Sequence, residues 1–176
     1  AKAADILSAW DGSPRTPAPR PMRAPAPTLA AIEELRDRRL RVTVVGRGSF
    51  DVALDVDFAP LSSARIAGRA GEGYYNGLTF HRVAPNFVIQ GGSPGANEYA
   101  GDVRFMRDEV GLHRRGTVGI STRGRDTGDA QIFVNLVDSP RLDHQYTVFG
   151  TVVAGMEVVD GILEGDVIER VELVGP

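Results

Sequence analysis

The chain has 176 residues, 42% of them apolar, and a formal net charge of −3. That length fits one ordinary domain plus an extension, and the near-neutral balance offers no strong field for nucleic acid or a membrane surface. Cysteine is absent, which excludes disulfide scaffolds, thiolate metal sites and cysteine nucleophiles, and no run approaches the ~18 apolar residues of a membrane-spanning helix.

The chain opens on Ala1 with no apolar signal core behind it, so it is expected to be a piece of a longer or processed protein. Six of the 11 prolines fall at positions 14, 17, 19, 21, 25 and 27. Proline lacks the backbone N–H and restricts its predecessor, so Ser13 to Pro21 is expected to be extended and polyproline-like, a linker or a docked arm with Trp10 as its anchor. Thr28 is a candidate N-cap for a short helix over 28–38, where Leu29, Ile32 and Leu35 recur at helical spacing. Residues 1–39 are read as an extension and 40–176 as the domain.

Residues 40–56 alternate apolar and polar around Gly46-Arg47-Gly48 and predict a β-hairpin. Pro60 to Gly71 predicts a helix with Leu61, Ala64 and Ile66 in its apolar set, ended by Gly71 or Gly73. Short strands follow at 78–83, 86–90, 117–121, 131–135, 147–153 and 166–174. One more helix is expected at 155–163, with Met156, Val159 and Leu163 on one face. Many short strands with Gly-rich turns and few helices imply a mainly β chain, a closed barrel or a sandwich.

Three segments carry chemistry. In Phe80 to Gly92, Arg82 and Gln90 stand on adjacent strands of a hairpin and can converge on one surface spot. Arginine offers fixed donors, and glutamine offers both a donor and an acceptor. The pair suits a neutral amide, and it lacks a nucleophile and a general base. From spacing alone, Arg82 as a solvated strand residue and Gln90 as a turn filler remain open. His81 is read as scaffold. The other two segments are Gly116 to Ser121 with Ala130 to Asn135, and Arg141 to Gly150. His81, His113 and His144 show no ligand spacing such as HExxH, so no metal site is called for.

The ordered series FHRVAPNFVIQGG, GTVGIS, AQIFVNL and LDHQYTVFG resembles the cyclophilin family in its bacterial style, over about residues 40–174. The resemblance implies a closed eight-stranded antiparallel β-barrel capped by two α-helices, here with an N-terminal extension. It implies peptidyl-prolyl cis–trans isomerase activity in protein folding, the alternative being a non-catalytic proline-peptide-binding module of the same fold. Arg82 then matches the catalytic arginine, Phe87 the aromatic floor of the proline pocket, and Gln90 the glutamine that meets the substrate backbone. Val88, Ser121, Thr122, Gln131, Phe133, Leu142 and Tyr146 match substrate-binding positions. No cofactor is implied, because no covalent bond changes. The expected partners are proline-containing peptides or unfolded clients, with the chain itself a monomer. Arg141 stands where many members have a tryptophan, so cyclosporin binding is expected to be weakened. A bacterial cell-envelope location, periplasmic or exported, is favoured over the cytoplasm.

Overall fold

The computed structural model describes residues 2–14 and 23–175. The extension holds α1 (Lys2–Asp11) and α2 (Leu29–Glu33). The domain follows as β1 (Arg39–Val44), β2 (Gly48–Leu54), α3 (Pro60–Gly71), β3 (Arg82–Ala84), β4 (Val88–Gly91), β5 (Thr117–Ile120), β6 (Ile132–Asn135), β7 (Val148–Ala154), α4 (Met156–Asp160) and β8 (Ile168–Val174).

The hairpin of β1 and β2 forms because its apolar residues recur with period two. Leu40, Val42 and Val44 are all buried on one face, while Arg41 points out to Asp51. Val42 lies opposite Phe50 and Leu40 opposite Val52, so the apolar faces of both strands meet the same interior. The eight strands make one antiparallel sheet in the order β3-β4-β6-β5-β7-β2-β1-β8. Val118, Ile120, Val134, Phe149, Ile168 and Val171 complete its buried interior.

The expected closure of the barrel is corrected. β3 and β8 are the two ends of the sheet and share no ladder. Thr79 alone bridges to Ser93 on one side and to Val167 on the other. Around it Phe80 N donates to Asp166 O at 2.9 Å and Ile168 N to Leu78 O at 2.8 Å. Residues 78–80 divide their backbone bonds between two neighbours, so the strand expected at 78–83 shortens to Arg82–Ala84.

Pro60 begins α3, where its missing N–H costs no helical bond. Glu109 caps the helix from outside, its carboxylate accepting from Leu61 N at 3.0 Å and Ser62 N at 2.7 Å. Ile66, Ala67 and Ala70 face the core with Ser62 and Ser63, so the buried stripe is rotated from the expected Leu61 and Ala64, which stay half-buried. The helix packs on β7 and β8. In α4 Val159 is buried as expected, but Leu163 is exposed and Ile162 takes its place, because the helix ends before residue 163.

Thr28 does cap α2, accepting from Ala31 N at 3.2 Å, yet the helix stops at Glu33 rather than 38. Trp10 is 84% exposed and packs into no pocket among the described residues, and α1 itself had no counterpart in the sequence reading. The polyproline expectation lies largely outside the described residues. The described end of the arm bridges Arg23 to Phe105 and runs beside α3, leaving a groove of about 390 Å³ lined by Pro25, Pro27, Leu61 and Arg69. Among the described residues, no helix is long and apolar enough to cross a membrane.

Candidate active site

A cavity of about 300 Å³ opens where β3, β4, β5 and β6 meet the loops that follow them. The β3–β4 hairpin supplies one wall. Its turn is tight, with Phe87 N donating to Ala84 O at 3.1 Å and Asn86 in the left-handed region at φ 56°, which asparagine tolerates better than most residues. This geometry places Arg82 directly opposite Gln90, and Arg82 Nη1 donates to Gln90 Oε1 at 3.2 Å. Of the readings left open by spacing, convergence is the one the fold adopts.

The apolar part of the cavity is built from Phe87, Val88, Phe133, Leu142 and Tyr146. Phe133 comes from β6 and meets the Tyr146 ring edge-on, with centroids 6.2 Å apart. Behind it His113 stacks at 5.8 Å and nearly parallel. Gly119 on β5 permits this packing, since a Cβ there would sit 2.4 Å from Phe133 Cζ. Ser121 and Thr122 line the same cavity as Gln90.

Gln131 does not line the cavity. It is 1% exposed, and its Oε1 accepts from Gln90 Nε2 at 3.2 Å. The sheet turns its side chain inward behind Gln90, so it supports the site rather than forming its surface. Glu98, Tyr99 and Arg123 do line the cavity and were missed. The charge around 123–129 was visible in the sequence, but Glu98 and Tyr99 belong to no motif and reach the site only through the loop that carries them. Arg141 lies over the face of Phe87 at 4.2 Å, and Arg82 lies 5.8 Å from the same ring.

Electrostatically, burial pushes the His113 imidazole below its ordinary pKa, opposed by Asp143, whose Oδ1 lies 3.5 Å from Nδ1. His81 is shifted the same way, again chiefly by burial, opposed by the Thr79 backbone. Asp129 is buried below the cavity, accepting from the Ala130 and Gln131 amides at 2.6 and 2.9 Å and pairing with Arg123. Among the described residues, no three His, Asp or Glu side chains converge as metal ligands. The cavity therefore joins an apolar pocket sized for a small ring to a rim of fixed donors and acceptors, with no nucleophile held against a base.

Comparison with known proteins agrees with this geometry. The family described as cyclophilin type peptidyl-prolyl cis-trans isomerase matches residues 39–174. A peptidyl-prolyl cis-trans isomerase of Helicobacter pylori is 38% identical over 145 residues, covering 79% of this chain and 89% of its own. Peptidyl-prolyl cis-trans isomerase B of Bacillus subtilis is 37% identical over 121 residues, covering 66% and 85%. A solved cyclophilin type isomerase of Cryptosporidium parvum superposes with a TM-score of 0.73 at 22% identity, covering 79% of this chain and 98% of its own. With the match spanning most of the chain, this chain belongs to the cyclophilin family of peptidyl-prolyl cis–trans isomerases.

Proposed function

We propose that the cavity rotates X–Pro amides with Arg82 as the donor that favours the twisted state. The amide resists rotation because the nitrogen lone pair is delocalised into the carbonyl, giving a barrier of about 20 kcal/mol. When the bond twists, that delocalisation is lost and the nitrogen becomes pyramidal and basic. A donor that meets this nitrogen binds the twisted state more strongly than either planar one, which is what lowers a barrier. Phe87, Phe133 and Leu142 hold the pyrrolidine ring, while Gln90 and the backbone near Thr122 fix the flanking peptide. The observation that carries this reading is the facing pair Arg82 and Gln90, bonded at the edge of an aromatic pocket.

A protease-coupled isomerisation assay on a proline tetrapeptide tests it. Arg82→Ala should lower kcat/KM by about 10²–10³-fold, the scale for losing one transition-state donor, with an unchanged circular dichroism spectrum. Full activity in that variant would overturn the assignment.

The remaining features of the reading have their own support. Arg141 over Phe87 presents a flexible cation where the drug-binding members present an indole, so cyclosporin should bind weakly, as titration calorimetry would show. A monomer in sedimentation is expected, with residues 40–176 persisting as a protease-resistant core after the extension is cut. A cell-envelope location is compatible with the lack of cysteine, which loses nothing in an oxidising compartment and does not fix the address. Fractionation of the parent cells tests it.

A further inference from the structure

The loop between β4 and β5 brings Glu98 to the cavity, and its bonds return to the residue it meets. Arg82 Nη1 donates to Gln90 Oε1, and Gln90 Nε2 donates to Gln131 Oε1, each at 3.2 Å. Gln131 Nε2 then donates to Ala100 O at 2.8 Å and to Glu98 O at 3.4 Å. The Glu98 carboxylate closes the circuit, its Oε1 lying 3.3 Å from Arg82 Nε.

The loop that carries Glu98 is itself tied down. Asn97 Oδ1 accepts from Tyr99 N at 2.8 Å and Ala100 N at 2.9 Å. Ser93 Oγ donates to Ala100 O at 2.6 Å, and Arg123 Nη1 donates to Glu98 O at 2.9 Å. An exposed ion pair alone would hold little. Here one partner stands on an anchored loop, the other on a strand, and a buried glutamine connects them.

We infer that Glu98 is a positioning residue for the isomerisation: it holds the Nε edge of Arg82 while Gln90 holds Nη1, fixing the plane of the guanidinium at the cavity. Among the described residues, Nη2 has no hydrogen-bond partner, and it is left as the group that can answer a substrate. An arginine held at one edge only still swings about its long stem. A hydrogen bond on Nη1 and an ion-pair contact at Nε oppose that rotation before substrate arrives, so part of the ordering is already in place when the amide twists. The inference rests on Arg82 being the donor proposed above.

The test measures kcat and KM for the proline tetrapeptide, the Kd of the same peptide and the melting temperature. It compares the unaltered chain with Glu98→Ala, Glu98→Gln, Arg82→Ala and the Arg82→Ala/Glu98→Ala double variant. Glu98→Ala should lower kcat about tenfold with Kd changed less than about twofold, the pattern of a loss confined to the transition state. Glu98→Gln, which keeps an acceptor, should retain about a third of the activity. The gap between the unaltered chain and Glu98→Ala should narrow toward ~1 M salt, where the pair is screened. In the Arg82→Ala background, Glu98→Ala should change the residual rate by less than about twofold. The inference fails alone if Arg82→Ala is inactive while Glu98→Ala keeps its kcat, or if Glu98→Ala is faster, which would make Glu98 a brake. A fully active Arg82→Ala would instead remove the donor assignment and this inference with it.

Discussion

Two hairpins of this sheet are built to different ends. The β1–β2 hairpin is paired over six positions and flanked on both sides, by β7 and β8. Every second residue of β1 is buried, and its polar side chains face outward. The β3–β4 hairpin is paired over only three positions, with β3 at the end of the sheet. One of its three opposed pairs is polar, Arg82 and Gln90, and Gln90 is 6% exposed. A buried amide is tolerated there because Arg82 and Gln131 satisfy it on both sides. The first hairpin gains stability from area removed from water. The second gains function from polar groups whose partners hold them still.

That contrast can be broken deliberately. Phe50→Ala, at a side chain 1% exposed, should cost about 3–5 kcal/mol in denaturant unfolding while leaving kcat/KM per folded molecule within about twofold. Gly119→Ala should damage both properties. Its Cβ would meet Phe133 Cζ at 2.4 Å and Thr147 O at 2.6 Å, so we expect about 1–3 kcal/mol of overpacking. Displacement of Phe133 from the proline pocket should also raise KM.

A third expectation concerns pH. His113 and His81 have folded-state pKa values lowered by burial, so the unfolded chain binds more protons below the ordinary histidine range. Stability is then fully present above about pH 6.5 and declines as pH falls toward the lowered folded values. Thermal melts between pH 7 and 5 should show this slope. His113→Phe, which keeps the stack on Phe133, should flatten it.

The smallest effect belongs to the outer face of the scaffold hairpin. Arg41 donates to both Asp51 oxygens at 2.8 Å, but its guanidinium is largely open to water. Arg41→Met should lower the urea midpoint less than the two core changes do, with no change in activity. The Arg41 hydrogen bonds hold the Asp51 carboxyl below its ordinary pKa. The pair therefore contributes above the usual carboxylate range and fades as pH drops through the lowered value. The unaltered chain should show that acid limb and the variant should lose it.

What the residues determined by themselves was local. Alternation along 39–54 is a property of neighbouring side chains on a pleated strand, and both strands formed within a residue or two of expectation. The same holds for the helix from Pro60 to Gly71 and for the facing of Arg82 and Gln90, which a short turn guarantees once the hairpin exists. Tertiary structure decided what depends on strand order and loop path. It put Gln131 behind Gln90, a bond spanning 41 positions. It brought Glu98 back to Arg82 and laid Arg141 on Phe87. It also left the ladder open between β3 and β8, with residues 78–80 spanning the gap. None of these contacts has a period or a spacing, because each joins segments whose nearness is created by the sheet and not by the chain.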